Sequence, residues 1–189
     1  MQKEDESRRM WIRFLSGDNG AYEWLYTEHV GPLYRYGLHF GVGAEGVEDC
    51  IQEVFAGIYR NRKRQAVPEH VATYLMVSLK NCLLRSRQRI DRTREAETDG
   101  ALDFLLEPTV EDTFIDNEQE ENRRKAIEQI LDLLTPRQKE ILYYRYIREL
   151  EMEDVCRLME LSYQSAQNLI QRSLKKIREN FKKTPSDWV

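Results

Sequence analysis

The stretch LEMEDVCRLMELSYQSAQNLIQRSLKKIR, Leu150 to Arg178, decides the fold of this chain. Leu150, Val155, Leu158 and Met159 fall on one face of a first short helix, and Leu161 and Ser162 follow as a corner. Ser162 is a residue type that caps a helix N-terminus. Beyond it Ala166, Leu169, Ile170, Leu174, Ile177 and Phe181 recur at spacings of three and four, the signature of one buried side of a 3.6-residue helix. The opposite side carries Gln164, Ser165, Gln167, Asn168, Gln171 and Arg172. Two short helices meeting at a corner, the second with a polar face, make a helix-turn-helix. Amide, hydroxyl and guanidinium groups pair with base edges in a major groove, and Lys175, Lys176 and Arg178 lie further along, where phosphates are met. An amphipathic core helix with a solvated face fits the same pattern, and Glu160 stands where a turn glycine is usual.

The 189 residues suffice for one ordinary domain or two small ones. One third of them are charged, mean hydropathy is −0.70, and no apolar run approaches the roughly 20 residues that span a bilayer. Membrane insertion is not expected. Glu4, Asp5 and Glu6 precede Arg8 and Arg9, which is not the order of a secretory signal, so a cytoplasmic location is expected. Cys50, Cys82 and Cys156 sit among apolar neighbours on predicted helices and read as buried reduced thiols. His29, His39 and His70 are scattered, so neither a metal site nor a cofactor is expected.

A net charge of −4 conceals two opposed blocks. From Arg60 to Arg94 ten Lys and Arg residues face only Glu69 and Asp91, whereas Glu95 to Glu121 contains no Lys or Arg. Such blocks create local fields that the average hides. Strand-like alternation is missing throughout, and the chain reads as all-α. Helices are predicted at about Ser7 to Leu15, from Ala21 with a kink or break at Pro32, at Val47 to Asn61, and from Pro68 to Arg89. The acidic stretch reads as a linker with a short helical turn around Leu102 to Leu106. Helix resumes near Gln119, burying Ile127, Ile130, Leu131 and Leu134. Thr135, Pro136 and Gln138 then form a capping box that starts another helix. The resulting layout is two small helical domains, 1–92 and 119–189, joined by an acidic linker, 93–118.

Together these residues resemble the RNA polymerase sigma factors of the sigma-70 class, specifically the compact extracytoplasmic-function type. Asp49-Cys50-Ile51-Gln52-Glu53-Val54-Phe55 is similar to the family's core-polymerase-binding helix, which assigns Asp49, Gln52, Glu53 and Phe55 to that contact. The segment Val71 to Arg89 resembles the element that binds and melts the −10 promoter sequence. Tyr74, Lys80, Asn81, Arg85, Arg87 and Arg89 are its candidate DNA contacts. Opening DNA needs cations for the backbone and a surface for extruded bases. The resemblance also places a base-capturing loop at Arg64 to Glu69, without singling out its residues. In the last helix the positions matching the −35 recognition helix are Ser165, Gln167, Asn168, Gln171 and Arg172, with Lys175 and Lys176 on phosphates.

The resemblance implies a non-enzymatic initiation factor with core RNA polymerase, promoter DNA and an anti-sigma factor as partners. No nucleophile with a base, carboxylate pair or phosphate-cradling glycine loop argues for catalysis. Two other functions fit the same chain: a stand-alone helix-turn-helix regulator, and a sigma-fold interaction protein without transcription activity. For the acidic linker three readings stand: a flexible spacer, a nucleic-acid mimic threaded through a polymerase channel, or a segment folded back on the basic block.

Overall fold

A computed structural model of the chain describes residues 2–93, 104–106 and 127–181, with side chains placed for 4–88, 104–106 and 127–180. The chain divides into two compact units, Met1–Leu102 and Asp103–Val189. All regular structure among the described residues is helical, as the missing strand alternation predicts. No described helix is long and apolar enough to cross a membrane.

In the first unit α1 (Gln2–Leu15), α2 (Asn19–Leu38), α3 (Ala44–Arg60) and α4 (Val71–Thr93) pack together around Trp11, Phe14, Leu25, Tyr36, Ile51, Leu75 and Leu79. The α1–α2 corner is local chemistry. Gly17 takes φ +109°, a conformation side chains resist, and the Asp18 carboxylate then caps α2 by accepting from the Ala21 N–H at 3.1 Å. Arg13 closes on the same carboxylate at 2.7 Å and lowers its pKa. α1 begins at Gln2 rather than near Ser7, and α3 at Ala44 rather than near Val47. α2 continues through Pro32 as one helix, because Leu25, His29, Leu33 and Tyr36 are buried on either side of it. α4 starts at Val71 rather than Pro68, because the Val71 N–H is taken by the Glu4 carboxylate from α1. That cap comes from 67 residues upstream and has no local signature.

The second unit contains a helical segment at 127–132, here α5, then α6 (Pro136–Leu142), a π-turn (Tyr143–Ile147), α7 (Met152–Met159) and α8 (Tyr163–Phe181). The predicted capping box is present: Gln138 N–H donates to Thr135 Oγ1 at 3.3 Å, and Thr135 N–H donates to Gln138 Oε1 at 3.0 Å. Leu134 is buried, but Ile127 is 46% exposed and lies outside the core expected for it. Tyr144 is fully buried and donates its hydroxyl to the Glu140 carboxylate at 2.7 Å. Residues 104–106 form no helical turn. Instead Phe104, only 2% exposed, packs its ring 5.3 Å from that of Tyr143 and 6.2 Å from that of Tyr144. Apart from Thr93 and 104–106, the segment 93–118 lies outside the described residues.

The turn before α8 explains the missing glycine. Glu160 adopts the left-handed conformation that glycine normally supplies, with φ 52° and ψ 47°. Leu161 N–H returns to the Cys156 carbonyl at 3.1 Å, closing the corner as a Schellman-type turn does.

The α2–α3 crossing is the tightest helix contact at a glycine. A Cβ placed on Gly37 would lie 2.4 Å from Val47 Cγ1, and Val47 has no exposed surface into which to retreat. Gly37→Ala is therefore expected to destabilise the first unit by about 1 to 3 kcal/mol, despite alanine's better helix propensity. Urea unfolding of the variant checks this, and unchanged or raised stability would contradict the crossing.

Candidate nucleic-acid and partner interfaces

α3 and α4 face one another through apolar side chains, including the buried thiols of Cys50 and Cys82. Burial raises the pKa of both, that of Cys82 to about 12, so both stay protonated and inert at neutral pH. The outward face of α3 presents Glu48, Asp49, Gln52 and Glu53, all exposed. Phe55, assigned from the sequence to the polymerase contact, is instead 3% exposed. Its ring packs 5.0 Å from Tyr26 and 6.2 Å from Tyr22, so it fixes the helix from inside and offers no surface to a partner.

On the flank of α3 a polar groove of about 330 Å³ opens toward α4. Four sequence-selected residues converge on it, Glu53, Tyr74, Asn81 and Arg85, joined by Arg60, Asn61 and Gln65. Arg85 meets Glu53 at 3.7 Å across the rim. Both side chains are more than half exposed, so the pair is weak and easily exchanged for a phosphate. Lys80 and Arg87 are half-buried, and each already has an interaction of its own. The side chain of Arg89 lies outside the described residues.

The loop at the end of the groove is tied down. Trp11 Nε1–H donates to the Ala66 carbonyl at 3.2 Å, and the Tyr74 hydroxyl donates to Gln65 Oε1 at 3.1 Å. The Tyr74 ring stands edge-on to Trp11 at 5.3 Å. Tyr74 is thus half-buried with its hydroxyl engaged, so it supports the groove wall more than it presents a stacking face. Sequence reasoning found the loop but not Gln65. A neutral amide following Arg62, Lys63 and Arg64 was the available signal.

In the second unit α8 turns Ala166, Ile170 and Ser173 inward. Gln164, Ser165, Gln167, Asn168, Gln171 and Arg172 are all exposed. Ser162 Oγ caps the helix by accepting from the Ser165 N–H at 3.2 Å, and the Ser162 hydroxyl also donates to Ser165 Oγ at 2.9 Å. Ser165 is therefore part of the cap. Gln164 Nε2 donates to Asn168 Oδ1 at 3.2 Å, and Arg172 Nε donates to the Asn168 carbonyl at 3.3 Å. Tyr163, which the sequence reading passed over, opens the helix with 54% of its surface exposed.

Two sequence-family models match the chain: "Sigma-70 region 2" over residues 25–93 and "Sigma-70, region 4" over residues 124–177. The chain belongs to the sigma-70 family. Two solved structures have the same fold. One, described as CnrH in complex with the cytosolic domain of CnrY, is 14% identical, with 95% of this chain and 99% of that chain covered and a TM-score of 0.61. The other, the sigma factor RpoE from Bartonella quintana with the anti-sigma factor NepR, is 13% identical, with 85% and 96% covered and a TM-score of 0.58. No curated protein matches the chain at a significant level. Only the 30 residues 94–123 separate the two matches, which supports the compact extracytoplasmic-function type.

The region 2 match contains the groove, α3 and α4, whereas Trp11 and Glu4 of α1 hold that region from outside the match. Region 4 contains the exposed face of α8, on which the two lysines make different contacts. Lys175 is exposed and reaches Glu179 at 3.7 Å on the next turn. Lys176 donates instead to the Leu133 carbonyl, just past α5. Lys175→Ala is expected to lower the slope of log K against log salt for DNA binding by about 0.9, the contribution of one phosphate contact. Lys176→Ala should leave that slope in place and weaken the second unit by about 1 kcal/mol. Salt titrations and thermal unfolding of the two variants check the division, which equal slope changes would contradict.

Proposed function

We propose that the chain is a transcription initiation factor that joins core RNA polymerase and directs it to promoters. The carrying observation is the pairing of region 2 and region 4 in one chain, each with an exposed polar surface of the right chemistry. Residues 1–92 and 119–189 are the two working domains, and 93–118 is the linker. Asp49, Gln52 and Glu53 on α3 meet a basic helical surface of the polymerase, for which an exposed carboxylate stripe is complementary. The α3/α4 groove receives the unpaired −10 strand. Asn81 and Gln65 face an extruded base there, while Arg60 and Arg85 face the backbone. Gln167, Asn168, Gln171 and Arg172 on α8 read the −35 element in the major groove. Catalysis belongs to the polymerase. An anti-sigma factor is the expected regulatory partner, a reading supported by the neighbouring structure of RpoE with its anti-sigma factor NepR.

Melting draws on the binding free energy of the whole assembly, so the isolated chain is expected to bind duplex DNA weakly. Reconstitution with core polymerase should give specific run-off transcripts from a cognate promoter. Asn168→Ala or Arg172→Ala should cost about 1 to 3 kcal/mol and relax preference at one −35 base pair. Tight duplex binding by the chain alone, with no co-purification with core, would favour a stand-alone regulator.

A further inference from the structure

We propose that Phe104 anchors the linker to the second unit, so that residues 94–103 alone tether the two units, and that this short tether sets the spacing between −10 and −35 elements that the chain accepts. The proposal rests on the reading of the two units as promoter grips.

The seat of Phe104 is built by Glu140, Ile141, Leu142, Tyr143 and Tyr144, a run of consecutive buried residues. At 3.6 residues per turn such a run faces every direction, so a helix buried in this way needs cover on all sides. α8 packs along α6, and α7 packs against the π-turn. Phe104 covers the tyrosines. Its ring is 2% exposed, tilted 57° against Tyr143 at 5.3 Å and 60° against Tyr144 at 6.2 Å. Tyr143 and Tyr144 meet each other at 5.8 Å, so the three rings close on one another. Tyr144 is also held by its bond to the Glu140 carboxylate at 2.7 Å, which fixes one wall of the seat independently of Phe104. Leu105 is exposed and Leu106 half-buried, so the phenylalanine ring is the deepest point of the attachment.

The place of this anchor in the chain gives it its effect. α4 ends at Thr93 and the described part of α5 begins at 127, so 33 residues, 94–126, lie between them. Phe104 divides that stretch. Ten residues, 94–103, lead from α4 to the anchor and reach roughly 40 Å at full extension. The residues from Phe104 to 127 begin and end on the second unit and add nothing to that reach. Holding them by both ends costs an entropy that grows only with the logarithm of their number, and burial of one aromatic ring with two ring contacts offsets it. Without the ring that cost stands unopposed. Two DNA-binding modules on one chain act together at an effective concentration set by their tether, which falls as the tether outgrows the span between sites. A ten-residue tether therefore favours one separation of the two promoter elements, where 33 residues would admit many.

The test uses the full chain carrying a donor dye at Glu45 on α3 and an acceptor at Arg178 on α8, both exposed positions. A Gly/Ser segment as long as the tether is inserted at either of two places. Insertion after Glu97, upstream of the anchor, should lower energy transfer, whereas insertion after Asp112, downstream of it, should leave transfer at the wild-type value. Phe104→Ala should lower transfer by itself and make it sensitive to the Asp112 insertion. Phe104→Leu, which keeps an apolar side chain, should restore most of the wild-type transfer. In holoenzyme reconstituted with core polymerase, run-off transcription is then measured on promoters whose spacer changes one base pair at a time. Phe104→Ala and the Glu97 insertion should raise output at off-optimum spacers roughly three- to tenfold relative to the optimum, and the Asp112 insertion should not. Equal loss of transfer from the two insertions in the otherwise wild-type chain, or no loss from either, overturns the anchor. A spacer profile unchanged by both Phe104→Ala and the Glu97 insertion overturns its role in spacing. Should Phe104→Ala unfold the second unit by urea titration, the two insertions carry the test with Phe104 in place. Failure of the underlying reading is separately visible, as wild-type holoenzyme giving no specific run-off transcript while the energy-transfer pattern persists.

Discussion

The packing of α3 against α4 is the constraint on which the rest of the first unit depends. α3 commits Val47, Cys50, Ile51 and Ile58 to the interior, and α4 commits Val71, Leu75, Leu79, Cys82 and Leu83. What remains outside is an acidic stripe on α3 and, beside it, a polar groove ending in a basic loop. Opposite charges are thereby sorted onto adjacent surfaces of one compact unit, with the weak Glu53–Arg85 pair on the boundary. Phe55 and the rings of Phe14, Tyr22, Tyr26 and Tyr59 brace that unit from the α1 and α2 side.

This arrangement reinterprets the charge blocks. The basic run is not a uniform DNA-binding face: Arg62 lies toward aromatic rings, Lys80 and Arg87 are half-buried with partners, and Arg60 and Arg85 line the groove. Nor is the acidic segment only a spacer, since Phe104 is buried against Tyr143 and Tyr144 in the second unit. A buried aromatic of that size contributes enough through apolar area alone to localise its segment.

What was legible in the sequence followed locality. The Thr135 capping box, the Ser162 cap and the two helices they bracket are written within a few residues, and the structure contains them all. The exposed polar side of α8 followed from its 3.6-residue spacing. The non-local ties were not legible: Glu4 on the Val71 N–H, Trp11 on Ala66, and Phe104 on Tyr143 join positions that no periodicity relates. Phe55 was grouped with the polymerase contact because it belongs to a recognisable motif, and its place on the helix turns it inward with Ile51 and Ile58 as an anchor of the element. The π-turn at Tyr143–Ile147 was also hidden, since it is closed by backbone alone, Arg148 N–H reaching back five residues to the Tyr143 carbonyl at 2.9 Å. Glu160 shows the reverse case: an unsuitable residue at a turn the fold imposes regardless.

The central claim is a division of labour: α3 meets polymerase and α8 meets DNA. Site-specific photocross-linking from Gln52 and from Asn168, both exposed, tests it most directly. A cross-linker at Gln52 should capture core polymerase with or without promoter, and one at Asn168 should capture only DNA upstream of the melted region, and only when promoter is present. Cross-linking of Gln52 to DNA, or of neither position above the yield from a residue on the far side of the same helix, would contradict the account.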